Sequence, residues 1–218
     1  MKNEALPLMA PVFPLSNCVL FPKVLLPLRI FEARYKLMLK QILDGQGWLA
    51  VGLWRTDSEV DDDGDPDVFP IAGLGRLVDY ERCSDDTFKV VLFGEHRVRI
   101  NGWLQTKPYP VARLEHFPEL EPEGITRDDL RGQLRVRIKD LVRKSVDSQV
   151  LMLLDQTIKD CEEIGPLVDS IAYHFLKSPH EKQRLLEVAS AVDRERLLIE
   201  ILRKERRGEI SGEEDSRD

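Results

Sequence analysis

Apolar and polar positions along this chain change their period once, and the change divides it. Through the first half the apolar residues come in short runs broken by proline, glycine or charge. Pro11 to Tyr35 opens the pattern. Pro11, Pro14, Pro22 and Pro27 each remove a backbone donor and fix φ, so no long helix runs through this segment. It reads as short extended pieces turning into a helix near Phe31. From Phe31 to Leu43, apolar residues at Phe31, Tyr35, Met38, Leu39, Ile42 and Leu43 form a helical stripe, closed by Gly45 and Gly47. Glu32 falls in its first turn, where the helix dipole favours an anion. Strand signals follow: the run Trp48–Leu–Ala–Val–Gly–Leu–Trp54, then Phe69 to Arg82 with Gly73 and Gly75 at positions of a bulge or bend. A turn at Ser84–Asp85–Asp86 leads into Thr87 to Phe93, which makes a hairpin. Gly94–Glu95 reads as a further turn before the alternating His96 to Ile100, and Tyr109 to Glu115 is the last strand. Many short strands with turns between them predict a small barrel or coiled sheet.

After Pro118, Pro122 and Gly124 the period becomes helical. Thr126 and Asp129 resemble a capping box before a face of Leu130, Leu134, Ile138 and Leu141. Ser148 can cap a helix with Leu151, Leu154 and Ile158. Gly165–Pro166 opens another, with Leu167, Ile171 and Phe175 on one face. Ser178–Pro–His–Glu181 is a capping box, and Ser190 with Asp193 starts a last helix carrying Leu197, Leu198, Ile201 and Leu202. Short amphipathic helices in this number predict a compact bundle. The expected organisation is a β-rich part over residues 1–120, a helical part over 121–207 and an acidic flexible tail over 208–218. The fold class is α+β.

Charge changes this picture little. The net charge of −7 resides in Asp57 to Asp67, seven acids without a base, and in the tail after Gly208, with five acids and one base. The rest of the chain is close to balance, so no basic partner of the folded body is indicated. Cys18, Cys83 and Cys161 are sparse, odd in number and without a Cys-x-x-Cys pair, which fits a reducing cytoplasm better than a disulfide scaffold. The prolines and Glu4 break any signal-peptide pattern, and no unbroken apolar run is long enough for a membrane span. The Met1 start and the polar, acidic tail suggest a complete product.

Chemistry-bearing motifs are scarce. Gly73–Leu–Gly75 lacks the third glycine of a dinucleotide loop and leads into a strand. There is no G-x-x-x-x-G-K-[ST] loop for nucleotide phosphates. His96, His116, His174 and His180 lack metal-ligand spacing, and a calcium loop started at Glu59 meets Pro70 where a glutamate is required. No cofactor, metal or catalytic residue is therefore expected. Basic residues cluster at Arg131, Arg135, Arg137, Lys139, Arg143 and Lys144, and again at Arg203, Lys204, Arg206 and Arg207. They share helices with acids and lack interleaved aromatic residues, so a solvated face is favoured over nucleic-acid binding.

Phe13–Pro–Leu15, Phe21–Pro22, Leu26–Pro–Leu28, Ile30–Phe–Glu–Ala–Arg–Tyr35, Gly73–Leu–Gly–Arg–Leu–Val78 and the strand Phe88 to Arg99 occur in this order, followed by Glu181 to Glu187. The ordered set resembles the N-terminal, substrate-binding domain of the Lon proteases, without their ATPase or protease parts. Two departures stand out: Lys23 where that family usually has glycine, and Ala33 where it usually has proline. The resemblance implies a PUA-like pseudo-barrel with one inserted helix, followed by a helical bundle. It implies a non-catalytic module that recognises unfolded or degron-bearing protein segments, as an adaptor or chaperone-like binder in the cytoplasm, in company with a separate protease or ATPase. A PUA-like RNA-binding protein is the alternative. Arg29, Glu32, Arg34 and Tyr35 are the candidate binding residues, because they lie where two differently built segments meet. The competing reading has Glu32 and Arg34 fixing the helix entrance while Tyr35 packs. Phe13, Phe21 and Phe31 are expected in the core.

Overall fold

The computed structural model describes residues 6–55, 66–120 and 163–207, with Val136 in addition. The expected helices over Leu130 to Leu141 and Leu151 to Ile158, most of the acidic loop and the tail lie outside the described residues. The chain divides into two compact units, Met1–Pro118 and Glu119–Asp218.

Among the described residues the first unit is a six-stranded sheet and one helix. In chain order these are β1 (Met9–Leu15), β2 (Leu25–Ile30), α1 (Ala33–Asp44), β3 (Trp48–Leu53), β4 (Ile71–Arg82), β5 (Phe88–Gln105) and β6 (Val111–His116). The sheet order is β2-β5-β4-β3-β1-β6, and β5 also pairs with β6. That last pairing closes β5, β4, β3, β1 and β6 into a ring, with β2 attached outside it. β5 can serve both purposes because of its length. Its first half pairs with β2 from Phe88 to Phe93, and its second half pairs with β6 from Val98 to Gln105. β1 and β3 run parallel, whereas the other ladders are antiparallel.

A five-stranded ring leaves a narrow interior, and the inward positions are correspondingly small. Ala10, Ala50, Ala72 and Ala112 alternate with Val12, Leu74, Val98 and Leu114, and Trp48 completes this core. The opposite face of the wall is covered too. Leu49, Val51 and Leu53 point away from Trp48 and Ala50 along β3, yet all six residues of that strand are buried. Phe13, on the other face of β1 from Val12, packs on Tyr35 of α1 with ring centroids 4.5 Å apart.

Between β1 and β2 the chain lies flat against the barrel wall. A Cβ added at Gly73 would overlap the carbonyl oxygen of Leu20, and one at Gly94 would overlap that of Phe21. At Gly75 it would stand 2.6 Å from the Phe93 carbonyl oxygen and 2.9 Å from the Leu20 side chain. Three glycines thus form a bare strip on which Leu20 and Phe21 are fully buried. Gly94 and Glu95 do not form the expected turn. They lie inside β5, where the register with β4 shifts between Leu74 and Gly75. The glycine there accommodates a crossing segment and a bulge in place of a reversal.

Lys23 ends this crossing in the left-handed conformation, with φ 63°. Its N–H donates to the Gly94 carbonyl at 2.7 Å, and the Gly94 N–H donates to Val24 at 2.9 Å. The turn is therefore kept although the side chain is unsuited to it. The expected helix start also moves. Glu32 is the N-cap of α1, with no side-chain capping bond, and no acid lies in the first turn. Tyr35, Met38, Leu39 and Ile42 form the buried stripe, but Phe31 is 63% exposed. Phe31 still obeys the period of β2: Ile30 faces in, so the next residue faces out.

The second unit contains α2 (Ile164–Phe175), α3 (Pro179–Leu186) and α4 (Ala191–Arg207). Pro166 is the third residue of α2, not its first. The Ser178 hydroxyl accepts the Glu181 N–H at 3.3 Å, and the Ser190 hydroxyl accepts the Asp193 N–H at 3.2 Å, so both serines cap as their spacing implies. Leu167, Val168, Ile171, Leu185 and Leu198 are fully buried. Arg194 sits among them with no exposed side-chain surface. It pairs with Asp169 at 3.3 Å and with Glu119, and donates to the carbonyls of Val188 at 2.8 Å and Ala189 at 3.1 Å. The Glu119 carboxylate lies so close over Gly165, at the start of α2, that a Cβ there would overlap it.

Three stability changes follow from this packing, each readable by urea denaturation. Gly73→Ala should cost about 3 kcal/mol or more, because backbone and not a flexible side chain occupies the space. Lys23→Gly should stabilise by about 0.5 kcal/mol through relief of the left-handed strain, whereas Lys23→Val should destabilise. Arg194→Met should cost about 3–5 kcal/mol in the helical unit, since it removes the cation paired with the buried Asp169 carboxylate.

Candidate peptide-contact surface

The four sequence candidates do not converge on one point. Arg29, exposed at the end of β2, reaches the β4–β5 turn. Its Nη2 lies 2.5 Å from Asp85 Oδ2 and its Nε donates to Thr87 Oγ1 at 3.2 Å. Asp85 also accepts the Thr87 hydroxyl at 2.6 Å and the Thr87 backbone N–H at 3.2 Å. These Thr87 bonds first, and the Arg29 charge after them, hold its carboxyl below the ordinary aspartate range. The neighbouring Asp86, at φ 59°, receives Arg82 at 2.8 Å and Lys36 of α1 at 3.0 Å. Hydrogen bonds from Arg82 and then Lys36 lower its carboxyl likewise. Each pair is exposed and weak alone. Together they tie the hairpin turn to the end of β2 and the first turn of α1.

Glu32 and Arg34 pair with each other at 2.7 Å, with the Arg34 guanidinium 4.6 Å from the centre of the Tyr35 ring. Tyr35 is 3% exposed and packs on Phe13. It belongs to the core beneath α1 and presents no contact surface. The helix entrance thus has the arrangement of the competing reading: an ion pair above a packed aromatic ring.

A different surface beside Arg29 has the properties of a protein-contact site. Among the described residues β2 pairs with β5 alone. The Gly94 N–H to Val24 carbonyl bond marks the even-numbered residues as those bonded to β5, so by alternation the backbone groups of Leu25, Pro27 and Arg29 point away from it. Pro27 has no N–H to leave unpaired on that outer edge. The side chains of the same residues share a face with those opposite them. Leu25 lies across from Phe93, and Pro27 across from Val91. Leu25 is 54% exposed, and the Lys23 ammonium lies 5.8 Å from the centre of the Phe93 ring. Phe31 continues the apolar exposure just past the strand. An open edge beside an apolar strip can accept an extended chain through main-chain bonds and hold alternate side chains. The sequence signal was present in the alternation Leu25, Pro27, Arg29, with a proline mid-strand that marks an edge.

Comparison with known proteins bears on both units. The family model for the substrate-binding domain of the ATP-dependent protease La (LON) matches residues 9–204. The Lon protease of Desulfosudis oleivorans is 26% identical over 185 residues, covering 85% of this chain and 22% of its own length. That of Anaeromyxobacter dehalogenans is 25% identical over 207 residues, 94% of this chain and 24% of its own. The chain thus spans about a quarter of these relatives. The N-terminal domain of the Mycobacterium avium complex Lon protease has the same fold, with a TM-score of 0.70 at 15% identity, over 89% of this chain and 98% of that one. A Lon N-terminal domain protein from Xanthomonas campestris superposes with a TM-score of 0.62 at 20% identity, over 88% and 97% of the two chains. The pseudo-barrel with its helical part is therefore the Lon N-terminal fold, and the match over residues 9–204 makes this chain a member of the Lon substrate-binding domain family.

Proposed function

We propose that the protein is a non-catalytic recognition module in the cytoplasm that binds unfolded or degron-bearing protein segments, as an adaptor or chaperone-like binder. The observation that carries this reading is the edge of β2, with Leu25, Pro27, Val91 and Phe93 forming an apolar strip beside backbone groups that no other strand among the described residues pairs. An unfolded segment offers what this edge lacks: free N–H and C=O groups and alternating apolar side chains. A folded client has already paired both, which gives the surface a physical basis for discrimination. Family membership supports the same role, since the matched part is the substrate-binding domain and neither the ATPase nor the protease. In this reading, work on the captured chain falls to a separate ATPase or protease. Arg29 takes part as the charged border of the edge. Glu32 and Arg34 shape the helix entrance behind it. No helix among the described residues is long and apolar enough to cross a membrane.

Binding of a permanently unfolded, fluorescently labelled client should exceed binding of its folded form. Leu25→Asp should weaken that binding about fivefold to tenfold, the equivalent of roughly 1 to 1.4 kcal/mol of lost apolar contact. Leu104→Asp, an exposed leucine elsewhere on β5, should leave it unchanged. Equal, background-level recovery of folded and unfolded clients would contradict the proposal.

A further inference from the structure

One end of the barrel is built differently from the rest of its interior. The inward positions of β3, β4, β5 and β6 continue past the apolar layers to Trp48, Arg76, His96 and His116. Register places them together: Trp48 is opposite Arg76, Leu74 opposite His96, and Val98 opposite His116. The His96 and His116 rings meet edge to face at 5.5 Å, and His96 lies 6.1 Å from the Trp48 ring. The Arg76 guanidinium stacks 4.0 Å from the centre of the Trp48 ring. Trp48 is 6% exposed, and its indole N–H has no hydrogen-bond partner among the described residues. A buried donor left unmatched is uncommon and costly in a folded protein.

Cations outnumber acids around this end: Lys23 and Arg76 lie near the His96 and His116 imidazoles. Against them stands Glu95, 3.1 Å from Arg76 and 3.9 Å from His96. We propose that this end of the barrel is an oxyanion-binding site, taking either a small free oxyanion or the carboxylate that ends a polypeptide chain. Arg76, whose Nη1 also reaches the Gln46 carbonyl at 3.4 Å, and Lys23 supply positive potential, and the two imidazoles supply ring N–H donors. A metal cation is the wrong ligand here. Lys23 and Arg76 repel it, and no three His, Cys, Asp or Glu side chains are grouped as ligands among the described residues.

The same groups make binding depend on protons. Burial first, then His116, Lys23 and Arg76, hold the His96 imidazolium below the ordinary histidine range, while Glu95 works the other way. An oxyanion favours the charged form of His96. Its binding therefore takes up protons and strengthens as pH falls through the histidine range. The site does not depend on the peptide-binding reading of the β2 edge.

The test is a titration of the full chain, followed by NMR of the histidine side chains, with inorganic sulfate, whose charge is constant over this range, and with acetate. A third arm compares a short peptide bearing a free C-terminal carboxylate with the same peptide amidated. Saturable shifts of the His96 and His116 signals are expected, with affinity rising from about pH 7.5 to about pH 6. His96→Gln and His116→Gln should each weaken binding about fivefold to tenfold, as for loss of one charge-assisted bond. Sulfate binding alone would assign the site to free oxyanions. Binding of the acid peptide but not the amide would assign it to chain ends. Shifts that grow without saturation in the unsubstituted protein, or an affinity unchanged with pH, would overturn the proposal without recourse to any variant.

Discussion

Everything in the β-rich unit depends on a close approach of two pieces of backbone. Leu20 and Phe21 lie against Gly73 and Gly94 at a distance no Cβ would allow. That contact seats the segment between β1 and β2 on the barrel wall. It also places the turn at Lys23 where its N–H can bond to Gly94, so β2 begins in register with β5. Without bare backbone at these positions the crossing would stand off by the thickness of a side chain, and two fully buried residues would lose their cover.

The strip of glycines also explains how one strand can serve two neighbours. β5 bends at Gly94–Glu95, so its first half carries β2 and its second half closes the ring through β6. The interior that results is narrow and alanine-rich. The wall is then covered from outside by Leu20, Phe21 and α1, giving a central strand buried on both faces. β2, held by β5 alone among the described residues, is left as an edge. The same closure that completes the barrel therefore creates the open surface proposed to take an unfolded chain.

The helical unit uses a different device. Its short helices bury leucine, isoleucine and valine as their periodicity requires, but a fully buried arginine fixes their arrangement. Arg194 joins α4 to Asp169 of α2, to the carbonyls before α4 and to Glu119. Buried ion pairs add little net stability, because desolvation offsets their attraction. Their effect is specificity: an alternative packing of the same helices would leave Arg194 or Asp169 unpaired.

Local chemistry in the sequence was enough for the change from period two to helical period, the capping serines Ser178 and Ser190, the α1 stripe and the extended reading of the proline-rich opening. Each depends on neighbours within a few residues, and backbone geometry and hydrogen bonding act at that range. The ordered motifs also sufficed for the family. What failed locally failed for a stated cause. Gly94–Glu95 looked like a turn because glycine serves turns and close approaches alike, and only the partner, Phe21, tells them apart. Phe31 looked like core because its spacing fits the α1 stripe, yet it belongs to the period of β2. Tyr35 could be surface or core until Phe13 was placed against it. Ring closure, the open edge of β2 and the meeting of His96 with His116 and Arg76 join residues far apart in the chain. Only tertiary structure decided them, because loop closure and strand register, not local preference, bring such residues together.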